Sequence, residues 1–147
     1  MRRVFLDSNV WIYSAFSAYK KHQKCADLIR ELKRNSKVEV CYSLHGLAEA
    51  ANIVSKISGS PVLNGATVSS RILVDNIIQQ STIIIPTLDD YRLAISLLER
   101  ENMKGGILYD CLHMVAAARH GCQQLHTANL RDFRRLEPHF EVEIVEI

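Results

Sequence analysis

The sequence predicts an α/β fold in which a mainly parallel sheet is covered by helices on both faces. Short runs rich in β-branched residues alternate with longer stretches of helical periodicity almost from end to end, the pattern left by successive strand–helix crossovers. A late helix built from small residues, with Ala116, Ala117 and Ala118 in its middle, suits close packing against a sheet. A chain of 147 residues suits one domain, read as residues 1–147, and shows no internal repeat, low-complexity tract or linker.

Arg2–Leu6 reads as the first strand, short and bounded by charge at both ends. Val10–Tyr19, apolar and aromatic, starts the first helix. His22–Arg34 carries Cys25, Leu28, Ile29 and Leu32 at helical spacing. Val38–Tyr42 is a second strand, and Ser43 is a fitting N-cap for the helix Leu44–Ile57, which Gly59 stops. Pro61 and Gly65 make Gly59–Ala66 a loop. Val68–Gln80 is helical in pattern, and Thr82–Ile85 before Pro86 is a short strand. Leu88–Arg100 is an amphipathic helix with Asp89 and Asp90 in its first turn, where negative charge suits the helix dipole. Gly105–Gly106 breaks the chain before the helix Ile107–His120. Gln124–Thr127 and Val142–Val145 complete the strands, with Asp132–Phe140 between them.

The composition excludes several classes. Hydrophobic residues make up 48% and charged residues 23%, ordinary for a globular protein, and a formal charge of +2 does not mark the whole chain as a nucleic-acid binder. Positive charge is nevertheless concentrated in Lys20–Lys37 and again at Arg131, Arg134 and Arg135, either as solvated helix faces or as phosphate-binding patches. Cys25, Cys41, Cys111 and Cys122 lack zinc-ligand spacing and read as buried thiols in a reducing compartment. The six histidines make no HExxH pattern. No signal peptide is visible, and no apolar stretch reaches the roughly 18 residues of a membrane span, so a cytoplasmic location is expected.

In open parallel sheets, ligands bind outside the carboxyl ends of the strands. Four oxygen-bearing side chains fall where they can reach that crevice. Asp7 ends the first strand, Glu49 lies in the second turn after the second strand, Asp110 lies near the start of the alanine-rich helix, and Asn129 follows the fourth strand. Each has an ordinary reading as well: helix capping for Asp7, a solvated helix face for Glu49, a dipole partner for Asp110, an Asx-turn for Asn129. Three carboxylates at one point raise one another's pKa values and cost stability unless a cation joins them. Hard oxygen donors suit Mg²⁺ or Mn²⁺ better than zinc.

These blocks resemble the PIN-domain nucleases. FLDSNVWIY is similar to the family's opening, a strand ending in Asp followed by Ser or Thr and often Asn. Ser43 with Glu49 six residues later resembles the second block. YDCLHMVAAARHGCQQLHTANLRDF resembles the third: Asp, an alanine-rich helix, Gly, a short strand, Thr-x-Asn/Asp and Asp-Phe. The resemblance spans almost the whole chain. It implies a three-layer α/β/α sandwich and Mg²⁺- or Mn²⁺-dependent cleavage of RNA leaving a 5′-phosphate and a 3′-hydroxyl. At this size it further implies a VapC-like toxin of a type II toxin–antitoxin pair, homodimeric and inhibited by a small antitoxin. On the matching positions Asp7, Glu49 and Asp110 take the catalytic and metal-holding places. Asn129 takes a fourth metal place that is Asp in many members, and as an uncharged donor it weakens the case for a second metal. Asp132 supports the site or anchors its loop, and Ser8 and Asn9 support Asp7.

Three other readings compete. A catalytically weak PIN domain would bind RNA or protein without cutting, and a PIN nuclease outside toxin–antitoxin systems would process RNA or cut DNA. An aspartyl phosphatase would need a second acid two residues after Asp7, where this chain has Asn9. His113, three residues after Asp110, reads as a packed or solvated histidine rather than a ligand or base. Trp11, Tyr13 and Tyr19 read as core or dimer contacts rather than base-stacking platforms.

Overall fold

Strand β1 (Arg2–Leu6) is the middle strand of a five-stranded sheet in the computed structural model, which describes residues 1–147. Its last three residues, Val4, Phe5 and Leu6, have no exposed surface, as expected of a strand buried on both faces. The other strands are β2 (Val38–Ser43), β3 (Thr82–Ile84), β4 (Gln124–Thr127) and β5 (Glu143–Glu146). Their order is β3-β2-β1-β4-β5, and every neighbouring pair is parallel.

Helices form two layers over this sheet. The first contains α1 (Ser8–Ala15), α2 (His22–Arg34), α3 (Leu44–Ile57) and α4 (Ser70–Gln80). The second contains α5 (Leu88–Arg100), α6 (Ile107–Arg119) and α7 (Leu130–Leu136). Contacts run from α1 to α2, α3 and α4 within one layer, and from α5 to α6 and α6 to α7 within the other. The three-layer α/β/α expectation is therefore met.

Most element boundaries match the sequence reading, and the exceptions have local causes. The first helix starts at Ser8, not Val10, because the Asp7 carboxylate accepts from the Ser8 N–H and caps it. It ends at Ala15, short of Tyr19. The fourth helix starts at Ser70, where the Ser69 hydroxyl accepts from the Ile72 N–H. The segment after Thr127 contains a helix over Leu130–Leu136, where no helix was expected. Phe133 and Leu136 bury its inner face. The Gly59–Ala66 loop holds one short 3-10 turn at Pro61–Leu63.

The connections leave β1 toward β2 and β3 on one side, then return across the sheet to β4 and β5. The order thus reverses between β1 and β4, and such a switch point opens a crevice at the carboxyl ends of the strands. The register sets what lies there. Leu6 pairs with His126 and Phe5 with Cys41, so Asp7 follows on beside Thr127 on one flank and Ser43 on the other. A tight chain reversal delivers β4 to this position. Gly121 has φ +76°, and after α6 the Cys122 N–H reaches back to the Ala117 carbonyl at 2.9 Å. This is a helix stop that a residue with a Cβ would strain.

Candidate active site at the switch point

Asp7 is the anchor of the site and is only 3% exposed. Its Oδ1 accepts the Ser8 N–H at 2.7 Å, and its Oδ2 accepts the Thr127 hydroxyl at 2.9 Å. Both carboxylate oxygens are therefore fixed by neighbours on either side of the switch point. Burial pushes its pKa up, and the charge of His113 with the Thr127 hydrogen bond only partly offsets this.

Glu49, on the second turn of α3, faces the same place. Its Oε1 accepts from His113 Nε2 at 3.3 Å, and the same nitrogen lies 4.0 Å from Asp7 Oδ1. Burial raises the Glu49 pKa, but the hydrogen bond and charge of His113 outweigh it, and the carboxyl ends below its ordinary value. Oxygens of Asp7 and Glu49 and a ring nitrogen of His113 all lie within 4.8 Å of one another.

Asp110, in the first turn of α6, is half-buried on the edge of this cluster. Burial first, then the charges of Asp7 and Glu49, push its pKa up to about 7, with a further contribution from Asp132. Asp110 thus feels the charge of both other acids. Asp110 nevertheless stands farther off than His113, which takes the third place in the tightest group.

The remaining expected residues fall around this centre in unequal roles. Ser8 donates its backbone N–H to Asp7 and places its hydroxyl 2.6 Å from the Tyr42 hydroxyl. Asn9 is half-buried in the first turn of α1 and is not among the groups that hold Asp7. Asn129 is exposed at the start of α7. Its backbone N–H bonds Thr127 Oγ1 at 3.0 Å, and its side chain does not cap the helix. Asp132 lies in the first turn of α7, 3.6 Å from Arg131 Nε.

Two residues do more in the site than the reading of the sequence gave them. His113, expected as a packed or solvated histidine, is packed and fully buried, and it lies at the centre of the site. Its spacing from Asp110 was visible, but nothing local could reveal that Asp7, Glu49, Ser8 and Ser43 surround it. Thr127, part of the Thr-x-Asn/Asp block but given no role from the sequence, holds Asp7 across 120 positions of sequence. Of the aromatic segment, expected as core or dimer contacts, Trp11 is buried and packs at 6.0 Å from Tyr42, whereas Tyr13 and Tyr19, 4.4 Å apart, are half-buried at the edge of the core. All four cysteines are free and buried. No helix is long and apolar enough to cross a membrane.

The donor chemistry of this centre fits a divalent cation. Three carboxylates converge beside the imidazoles of His113 and His45, and burial first, then the charges of Asp7 and Glu49, drive Asp110 toward neutrality. Such a set of hard oxygen donors suits a hard divalent cation.

The fold is shared with known proteins. A chain in the structure of VapC20 from Mycobacterium tuberculosis, described as a sarcin–ricin loop cleaving toxin, matches with a TM-score of 0.72 at 15% identity, covering 95% of this chain and 98% of that one. A chain in the structure of VapBC2 from Rickettsia felis bound to a DNA fragment from their promoter matches with a TM-score of 0.69 at 19% identity, covering 99% and 98%. DNA-bound VapBC from Salmonella typhimurium matches with a TM-score of 0.68 at 20% identity, covering 99% and 98%. No curated protein sequence matches the chain. The PIN domain model matches residues 4–137, nearly the whole of the α/β/α sandwich and every acid of the site just described, and the chain therefore belongs to the PIN domain family.

Proposed function

We propose that the chain is a metal-dependent endoribonuclease that hydrolyses RNA phosphodiester bonds, and that it is the toxin of a type II toxin–antitoxin pair. The observation that carries this reading is the surplus of carboxylate at the switch point. Asp7 and Glu49 lie together around His113, and their charges help push the Asp110 pKa up to about 7. Asp7, Glu49 and Asp110 would hold Mg²⁺ or Mn²⁺, with Asn129 and Asp132 at the rim. When bound, the ion supplies Lewis-acid stabilisation of charge on the phosphodiester.

The protein's own groups do the positioning. Asp7 is held by the Ser8 N–H and the Thr127 hydroxyl and cannot turn away from the crevice mouth without breaking both bonds. Glu49, kept below its ordinary pKa beside His113, stays ionised at neutral pH and is the carboxylate placed to take a proton from the attacking water. The likeness to VapC20 supports RNA as the substrate, and the likeness to chains of VapBC complexes supports a small antitoxin as partner. The reading also carries a homodimer and a cytoplasmic location.

The experiment is cleavage of end-labelled total RNA by purified protein with Mn²⁺, with Mg²⁺ and with EDTA, beside Asp7→Asn. The expected result is a set of discrete products that need metal. Asp7→Asn should lose more than about 100-fold in rate, beyond the range usual for groups that only support a ligand. Full cleavage in EDTA, or by Asp7→Asn, would overturn the assignment.

A further inference from the structure

His113 stands among the acids at the distance of a ligand, with Nε2 3.3 Å from Glu49 Oε1 and 4.0 Å from Asp7 Oδ1. Whether that nitrogen has a lone pair to offer is decided by the hydroxyls around it, because each hydroxyl carries a single proton. Tyr42 Oη lies 2.7 Å from the Gly46 carbonyl oxygen, which can only accept, so the Tyr42 proton is committed there. Ser8 Oγ lies 2.6 Å from the same Tyr42 oxygen, so the proton between those two belongs to Ser8. Ser8 then has none left for His113 Nε2, 3.3 Å away, and can only accept from it. The Glu49 carboxylate likewise only accepts.

Every polar neighbour of Nε2 is thus an acceptor, and Nε2 must carry a proton. Nδ1 lies 3.1 Å from Ser43 Oγ, which accepts from the Gly46 N–H at 3.2 Å and can either give to Nδ1 or accept from it, so Nε2 keeps its proton whether the ring is neutral or charged. The ring is further fixed between Tyr42, stacked at 5.9 Å, and Phe5 at 5.4 Å, so it cannot turn to exchange its two nitrogens without disturbing the core.

We propose that His113 is a positioning residue of the active site and not a metal ligand: its Nε2–H holds Glu49 and Ser8 in register with Asp7. The metal centre is then built from oxygen donors alone, a set that favours Mg²⁺ or Mn²⁺ over Zn²⁺. This rests on the reading of Asp7, Glu49 and Asp110 as the metal-holding set. The signal for the arrangement is tertiary, since hydroxyls of α1 and β2, anchored on a backbone carbonyl of α3, set the protonation of a ring on α6.

The test is long-range ¹⁵N–¹H correlation spectroscopy on histidine-labelled protein at neutral pH, with the His113 signals assigned by their loss in His113→Gln. Nε2 is expected to be protonated and to stay so when Mg²⁺ is added to saturation. Affinity for Mn²⁺ is then measured for wild type, His113→Gln and His113→Leu. Gln places an N–H where Nε2 was and should keep the affinity within about threefold, whereas Leu should lose about 10–100-fold, the range typical of a lost supporting hydrogen bond. If Leu does not fold, the spectrum and the Gln variant still decide. A bare Nε2 in a protein that binds Mn²⁺, or a loss in His113→Gln as large as in Asp7→Asn, would overturn the proposal while leaving the metal reading intact. Absence of Mn²⁺ binding by folded wild type would overturn the metal reading and the positioning role with it.

Discussion

At the scale of single residues, the site is defined by the unequal treatment of its acids. Asp7 is clamped, Glu49 is held ionised by His113, and Asp110 is the acid whose pKa is pushed up, by its burial first and by the charges of Asp7 and Glu49 after it. Because the folded pKa of Asp110 is about 7 and its ordinary value 3.8, the native protein holds a proton between these values that the unfolded chain has given up. The metal-free protein should therefore lose stability as pH rises from about 4 to about 7. Asp110→Asn should flatten that slope and raise the melting temperature of the metal-free protein at pH 7.5. An unchanged slope in thermal melts across this range would show that the fold does not hold Asp110 protonated. Gly46 makes a second prediction. A Cβ there would lie 2.5 Å from the Tyr42 ring, which is fully buried and has no room to give. Gly46→Ala should cost about 1–3 kcal/mol in denaturant unfolding, and it should displace the tyrosine hydroxyl that orients Ser8.

At the scale of elements, the position of α6 decides whether Asp110 and His113 reach the site, and Asp90 does much to hold it there. Asp90 is 1% exposed in the first turn of α5, where its carboxylate accepts the Thr87 N–H at 2.7 Å and the Thr87 hydroxyl accepts the Asp90 N–H at 3.2 Å. This reciprocal cap closes the helix start. The same carboxylate reaches the far end of α6, with Arg119 Nε 2.8 Å away, at an angle outside hydrogen-bond geometry, and His120 Nε2 at 3.5 Å. Asp90 thus ties the start of α5 to the end of α6. Asp90→Ala should cost about 1–2 kcal/mol, chiefly from the lost cap, since water can take over the half-exposed Arg119. The sequence had placed Asp90 as a dipole partner only, because its α6 contacts lie about 30 residues away. A loss below about 0.5 kcal/mol, the size of a surface change, would reduce Asp90 to that role.

At the scale of the whole molecule, a cation that binds only the folded state must stabilise it. At a concentration 100 times its dissociation constant, the gain is about 2.7 kcal/mol. For a domain of this size that is roughly 5–10 °C in melting temperature. Mn²⁺ should produce this rise in wild type, and Asp7→Asn should abolish it. A rise of equal size in Asp7→Asn would place the cation elsewhere on the protein. The basic stretch over α2 shows how whole-molecule context alters a residue's meaning. Lys24, Arg30, Lys33 and Arg34 are exposed on that helix, whereas Lys21, at its N-terminal edge, donates to the Ala128 carbonyl at 3.0 Å, one residue beyond Thr127. That lysine braces the switch point rather than adding to a free charged face.

The sequence by itself determined the order and kind of the elements, the parallel sheet they form and the acids that end up at its carboxyl edge. These depend on local periodicity and on the strand-end positions of Asp7, Ser43 and Thr127, which neighbouring residues specify. The final helix escaped because Leu130–Leu136 is too short for its periodicity to stand out, and it is stabilised by burying Phe133 and Leu136. Only the tertiary structure decided which polar groups meet. The pairing of Thr127 with Asp7 and the burial of His113 between Glu49, Ser8 and Ser43 require β4 and α6 to return to β1 across more than 100 residues. Hydrogen bonds of that span leave no periodic trace in the chain, because a single side chain at the right place in three dimensions satisfies them.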